Sequence, residues 1–480
     1  MSIAIVGGGI GGLVSAILLA DNGYQVTLFE KEAKLGGRLT FETNGDYTID
    51  QGPTIVLLPQ LLIELLKACG LKETDIELVR CDPLYDIHYS DGSTYRKWQQ
   101  EDQQVNELKH LFPDQVQGFR RYLADMGNIY QFGTEAFLSR TFALKRDFLS
   151  FKNIKFVLAS KSYRTVSNYL AEYFDSLKLQ HAYALQTLYI GGAPHTVPAL
   201  YGLISYSEHA FGIWYVKGGY YSLIPKLEEL ALEKGVNFFK KTAVTEIIVE
   251  EKRVEGVRTS KGDFQFGKVI FNGDYPLINR LLKKEKNRGK AKYVPSSGCV
   301  LVYIGVKHRY LNTLTHQYFL SRDFDFYMKH VSESTDLPAD PSCYVFNPIT
   351  IDPESAPAGK STLYLLIPVP ARLRCSEQEL DHFVDEQVNR IEQAQFPNLK
   401  QQIEWQTIRT PRDAEKEGLY GGGSFGVAPL LNQSGAFRPQ FKHPIVKGLY
   451  AVGASVHPGG GVPIVMQGAR LLVNEIIKGE

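Results

Sequence analysis

Cysteine is scarce in this chain: five in 480 residues, at Cys69, Cys81, Cys299, Cys343 and Cys375. They are scattered and odd in number, and no pair has metal-ligand spacing, so they read as reduced intracellular thiols. Long apolar runs are missing too. No stretch approaches the ~18 residues that a bilayer-spanning helix needs. Neither sign of charge is in excess, with 53 Lys and Arg against 52 Asp and Glu and a net charge of +1. That gives no global reason to expect nucleic acid as a partner. The apolar N-terminus lacks a basic n-region and its glycines have another use, so it is not read as a signal peptide. No internal repeat, low-complexity tract, nucleophile motif, metal cluster or carboxylate pair stands out.

What is present is size, aromatic content and one organised stretch. A chain of 480 residues exceeds one ordinary core, so two or three domains are expected. The 27 Tyr and 26 Phe permit large apolar pockets. From Ile3 to Glu30 the sequence runs Ile3-Ala4-Ile5-Val6, then Gly7-Gly8-Gly9-Ile10-Gly11-Gly12, then a helical pattern, then Val26-Thr27-Leu28-Phe29-Glu30. The first run suits a buried parallel strand. Gly7, Gly9 and Gly12 satisfy G-x-G-x-x-G. Ile10, Leu13, Val14, Ile17 and Leu18 have the spacing of one helix face, and Gly23 sits where a left-handed residue ends it. In such a unit the glycines admit a pyrophosphate, the helix N-terminus attracts its charge, and Glu30 accepts from ribose hydroxyls. Strand, helix, second strand and terminal acid all occur in order, as dinucleotide binding demands.

The residues after Glu30 narrow the dinucleotide. Leu35-Gly36-Gly37-Arg38 places a second Gly pair and a guanidinium that can meet a pyrophosphate as a planar donor. Asp50-Gln51-Gly52-Pro53-Thr54 follows. This arrangement resembles the FAD-binding entry of the amine-oxidase and phytoene-desaturase flavoproteins. Taken alone, Arg38 would read as a surface arginine; beside Gly36 and Gly37 it reads as a cofactor contact.

Further along, Pro59 to Lys67 looks like a helix with Pro in its first turn. Cys81 to Trp98 looks like a strand pair around Asp91-Gly92. From about 100 to 215 the chain is helical and aromatic. Ser139 to Arg164 carries Arg140, Lys145, Arg146, Lys152, Lys155, Lys161 and Arg164 against one acid, Asp147, with aromatic and aliphatic residues between them. That composition fits a monotopic contact with anionic lipid; the alternative is a charged helix packed on a core by its apolar face. Short strands are expected at Val236 to Phe238, Val244 to Val249, Val254 to Thr259 and Val269 to Phe271. Longer ones are expected at Gly298 to Val306 and Thr362 to Val369, with a helix near Glu377 to Gln395. At the C-terminus, Gly448 to Ser455 reads as a strand and small-residue turn. The loop Val456-His457-Pro458-Gly459-Gly460-Gly461-Val462-Pro463 then feeds a helix from about Ile464, a second anion site.

The segment Gly453-Ala454-Ser455-Val456-His457-Pro458-Gly459-Gly460-Gly461-Val462-Pro463 looks like the C-terminal signature of bacterial carotenoid desaturases. Leu188-Tyr189-Ile190-Gly191 and Gly423-Ser424-Phe425-Gly426 agree with it, and the resemblance is nearest to diapophytoene desaturase-like C30 enzymes. It covers nearly the whole chain. The implied fold is α/β: a discontinuous Rossmann-like FAD-binding domain (residues 1–75, 217–290 and 441–480), an α+β substrate domain (76–99, 185–216 and 291–440) and a helical membrane-contact region (100–184). The implied FAD contacts are Gly7, Gly8, Gly9, Gly12, Glu30, Gly37, Arg38, Val244, Gly453, Ala454, Gly461 and Val462. Val244 would act through its backbone, although a plain β-core role suits it equally.

The resemblance also implies a reaction. A hydride leaves an allylic carbon of a long apolar isoprenoid for flavin N5 and a proton leaves the neighbouring carbon, extending the polyene. Cofactor chemistry dominates and the protein supplies an aligned apolar tunnel. His457 would assist proton removal or brace its loop, and bracing is the commoner fate of a lone histidine. Arg140 would face substrate or lipid. The partners implied are a bilayer surface and quinone or oxygen as electron acceptor, with the protein on the cytoplasmic face of the cell membrane. A paralogue oxidising terminal methyl groups, an amine oxidase and a non-catalytic flavin-bound lipid carrier remain open.

Overall fold

The computed structural model describes residues 2–133, 151–282 and 293–479. Arg140 lies outside them. The opening apolar run forms the strand Ser2–Val6, with Ile3, Ala4 and Ile5 fully buried. It is central in a five-stranded parallel sheet, between Gln25–Phe29 and Lys268–Phe271. Asn237–Phe239 and Leu449–Ala451 form the edges. Parallel strands are covered on both faces, which explains their nearly continuous apolar sequence.

The helix Ile10–Asp21 follows at once. Its expected stripe is one face, but Ser15, Ala16 and Leu19 are buried as well, while Leu18 is only partly so. The helices Leu223–Glu233 and Val462–Lys478 both pack on it, so a single apolar stripe would leave one contact polar. Gly23 ends it with φ +82°. The N–H groups of Gly23 and Tyr24 return to the carbonyls of Ala20 and Leu19, a closure that strongly favours glycine.

A seven-stranded sheet forms the second body of the structure. Its order is Ile403–Arg409, Gly298–Val306, Ser361–Val369, Cys343–Phe346, His316–Phe319, Tyr85–His88 and Thr94–Lys97. All pairs are antiparallel except His316–Phe319 with Tyr85–His88. Successive strand residues face opposite ways, and here the two faces have different tasks. Val300, Val302, Ile304 and Val306 pack with Phe383, Val384, Val388 and Ile391 of the helix Glu377–Ala394. Cys299, Leu301 and Tyr303 face the other way, into a core rich in tyrosine. Helices of the 100–184 stretch share that core. Phe119, Tyr122 and Met126 of Val116–Gly133, and Tyr183 of Leu177–Ala184, lie in it with Tyr318, Tyr344 and Tyr364 of the sheet.

One buried acid pins the strand Tyr47–Asp50 to the turn that precedes the helix Leu223–Glu233. Asp50 accepts from the N–H groups of Tyr220 at 3.0 Å and Tyr221 at 3.3 Å. Burial pushes its pKa from 3.8 up to about 7, against those two bonds. The folded chain therefore keeps a proton that the unfolded chain loses earlier. Stability is greatest below the unfolded value and falls as pH rises toward 7, by on the order of 4 kcal/mol at ~1.36 kcal/mol per unit. The Asp50→Asn variant should lose this slope between pH 4 and 7 in denaturant titrations; an unchanged slope would place the proton elsewhere.

Candidate functional site

One cavity of about 1520 Å³ connects the two bodies. It exceeds the ~300–1,000 Å³ of ordinary small-molecule sites. Two helix N-termini meet it. Ile10 and Gly11 begin one helix, and Val462, Pro463 and Ile464 begin the other. Each terminus presents N–H groups and a positive dipole end, the arrangement that binds phosphate and other anions.

Of the residues singled out by sequence, Gly7, Gly9, Glu30, Gly37, Arg38, Val244, Gly453, Ala454, Gly461, Val462 and His457 all line this cavity. Gly8 and Gly12 do not; they lie behind its wall, where space is the constraint. A Cβ on Gly12 would sit 2.2 Å from the Gly7 carbonyl oxygen, and one on Gly8 would sit 2.5 Å from Leu35 Cδ2. Glu30 is 7% exposed, and its carboxylate accepts from the N–H of Gly8 at 2.7 Å and of Glu32 at 2.9 Å. One oxygen thus locks the glycine turn while the side chain still borders the cavity.

The second glycine pair is drawn onto the first. Gly36 donates its N–H to Gly8 O at 2.8 Å. A Cβ on Gly37 would lie 3.2 Å from Gly9 Cα. Arg38 is set by this turn. It donates to the Ser424 carbonyl at 2.7 Å, and burial lowers its pKa while the charge of Asp274 opposes that. Part of its fork is therefore committed within the protein. His457 is 2% exposed and gives its backbone N–H to Pro439 O at 2.8 Å.

Several lining residues escaped sequence reasoning. Asn272 and Asp274 follow the strand Lys268–Phe271, and both border the cavity. Asn272 donates to the Val452 carbonyl at 3.0 Å, and its buried Oδ1 has no partner. Asp274 accepts from Tyr420 N–H at 2.8 Å and from the Ser455 hydroxyl. Their signal was available: ligands gather outside the carboxyl ends of parallel strands. Arg438, 5% exposed, donates to Ala454 O at 2.5 Å and holds the C-terminal loop; nothing local marks it.

These features fit FAD. The paired glycine turns, the orphaned Asn272 oxygen, the Glu30 carboxylate and two helix N-termini would supply an elongated dinucleotide with acceptor, donor and anion contacts. Among the described residues, no group of three or more His, Cys, Asp or Glu is placed to hold a metal ion.

Away from the glycines the cavity wall is apolar and aromatic. Leu301, Tyr318, Tyr344, Tyr364 and Leu366 come from the seven-stranded sheet, Leu320 from just past its strand His316–Phe319, and Leu188, Tyr189, Ile190, Leu203 and Ile204 from the helical side. Tyr318 and Tyr344 are direct cross-strand partners, as are Tyr344 and Leu366.

Comparison with known proteins agrees with this geometry. The family model for flavin containing amine oxidoreductases matches residues 10–477. A 4,4'-diapolycopen-4-al dehydrogenase of Metabacillus indicus is 44% identical over 99% of this chain and 97% of its own. A zeta-carotene-forming phytoene desaturase of Myxococcus xanthus is 34% identical over 99% and 93%. A 4,4'-diapophytoene desaturase (4,4'-diaponeurosporene-forming) of Staphylococcus aureus is 33% identical over 100% and 99%. Among solved structures, a putrescine oxidase shares the fold with a TM-score of 0.69 at 14% identity, covering 100% of this chain and 99% of that one. An oxidoreductase from Methanosarcina mazei does so at 0.65 and 16%, covering both chains fully. With its glycine cradle, its tunnel and these relatives, the chain belongs to the flavin containing amine oxidoreductases, in their bacterial C30 carotenoid desaturase-like branch, and is an FAD-dependent oxidoreductase.

Proposed function

We propose that this enzyme desaturates a linear isoprenoid of the diapophytoene or phytoene type and so extends its conjugated polyene. The observation that carries the reading is the cavity itself. Its FAD-fitting end continues into an apolar, aromatic passage between the seven-stranded sheet and the helical side. FAD supplies the two-electron oxidant when bound. The chain's own residues bind the hydrocarbon, align it and exclude water. The relatives named as desaturases support the same reading. Co-expression with a diapophytoene-forming synthase tests it: yellow-to-red hydrocarbons are the expected products, and colourless extracts would overturn it.

A second reading has its own support, because the relative at 44% identity is named for an aldehyde of a preformed polyene. In that case the enzyme oxidises a terminal carbon. It would leave diapophytoene untouched and turn polyene aldehydes into acids in the same extracts.

The substrate lives in lipid, and one surface suits its delivery. On the helix Phe151–Ala159, Phe151, Ile154 and Leu158 share a face and are 85%, 44% and 62% exposed. Lys155 is exposed beside them, and Val157, Ser162 and Tyr163 border the cavity. The basic excess read from the sequence is smaller in space, since Glu172 pairs with both Lys161 and Arg164. Apolar contact thus outweighs charge in the proposed docking to the inner face of the membrane, where a quinone, or oxygen, would accept electrons. Among the described residues no helix is long and apolar enough to cross. Phe151→Asp with Leu158→Asp should lower partition into anionic liposomes at least about tenfold. Withdrawing one such side chain costs about 1.5–3 kcal/mol, and ~1.4 kcal/mol is tenfold. Unchanged sedimentation with liposomes would reject this surface.

A further inference from the structure

We infer that the tunnel contains a recognition point for the hydroxyl-bearing end of an oxygenated polyene, formed by Tyr318 and oriented through Tyr189 by the buried Lys97–Glu208 pair. The inference rests on the tunnel holding a polyene. It deepens that reading by naming the end group.

Lys97 and Glu208 have side chains with no exposure at all, and Lys97 Nζ lies 2.8 Å from Glu208 Oε2. The same oxygen accepts from Tyr85 at 2.7 Å and from Gln186 at 3.0 Å. Lys97 also donates to Ser205 at 2.8 Å. Stability alone is a weak reason for such a pair, because well-packed apolar replacements often serve as well. Its remaining oxygen, Oε1, faces Tyr189, whose hydroxyl lies 3.1 Å away. Tyr189 in turn lies 2.6 Å from the hydroxyl of Tyr318. Both tyrosines line the cavity.

Proton bookkeeping sets the direction of this chain. A carboxylate only accepts, so Tyr189 donates to Glu208. Tyr189 has no second proton, so Tyr318 donates to Tyr189. Burial raises the pKa of both phenols well above 10, so each keeps its proton at neutral pH. The proton of Tyr318 is therefore spent inward, and a lone pair, enriched by a chain ending on an anion, is what it offers the tunnel. The complement of that lone pair is an O–H donor. A hydrocarbon has none, and a carbonyl or ether only accepts. Neighbouring Tyr344 does not compete, because its hydroxyl is held between Thr54 Oγ1 and His316 Nδ1, each at 2.7 Å.

The test uses the FAD-loaded protein in detergent micelles and three acyclic C30 probes: a polyene hydrocarbon, its terminal alcohol and the methyl ether of that alcohol. Induced circular dichroism of the polyene band reads binding. Wild type should hold the alcohol about tenfold more tightly than the ether or the hydrocarbon, the scale of one net hydrogen bond. Tyr318→Phe should erase that preference while leaving hydrocarbon affinity within about twofold. Tyr189→Phe should free the Tyr318 proton to point into the tunnel, where it can donate to the ether as well as to the alcohol, so that ether affinity rises toward that of the alcohol, a gain that mere loss of packing would not produce. Equal wild-type affinity for all three probes would overturn the inference and leave the polyene tunnel standing. Failure to bind any of them would overturn both.

Discussion

Purified Gly9→Val protein should be colourless where the wild type is yellow. Gly9 lies in the cavity wall at the first glycine turn. A Cβ there would sit 2.9 Å from Asn272 Oδ1, and Gly37 already approaches its Cα. Valine must push Asn272 aside or fill the space at the helix N-terminus, so two contacts proposed for the dinucleotide are lost together. We expect FAD affinity to fall by at least about 100-fold, or ~2.7 kcal/mol. The thermal stabilisation that added FAD gives the wild type should vanish in parallel. Flavin absorption after gel filtration reads the result, with far-ultraviolet circular dichroism reporting the fold. Stoichiometric flavin in this variant would remove the glycine turn from the cofactor site.

The second large effect concerns the interior. Lys97→Met leaves the Glu208 carboxylate buried without its cation, although Tyr85, Gln186 and Tyr189 still donate to it. Breaking one partner of such a pair costs about 3–5 kcal/mol. Lys97→Met combined with Glu208→Met removes both charges, and most of that loss should return. Denaturant midpoints for the two single variants and the double complete the cycle. Additive losses would show that the two side chains act independently, and the polarised tyrosine chain would lose its anchor.

Much of the frame was legible because it follows local periodicities. Gly298–Val306 forms at the limits its apolar run implies, and Thr362 to Val369 differs by one residue. The helix expected near Glu377 ends at Ala394, capped by Ser376 and Glu379 in a reciprocal box. The C-terminal helix begins at Val462, two residues early, with Pro463 in its first turn. What stayed hidden depends on distant pairing. Lys97 shares an inward strand face with Tyr95, and no local pattern distinguishes it from a surface lysine. Its partner lies 111 residues away. Glu172, likewise, neutralises two cations that looked uncompensated in sequence. The tyrosine pair at the tunnel wall joins residues 129 apart, beyond the reach of any motif. Arg140 falls outside the described residues and keeps only its sequence-level reading.

The five-stranded sheet sets a timetable for biosynthesis. Its central strand Ser2–Val6 is made before the other four, yet its neighbour Lys268–Phe271 and the border strand Leu449–Ala451 come far later. At about 5–20 residues per second, a nascent chain carries an open, sticky edge for tens of seconds. The helix Val462–Lys478, which caps the first helix, emerges later still. Flavin loading therefore waits until this late strand and helix have emerged, and chaperone protection of the early strands should govern how much holoenzyme a cell can make.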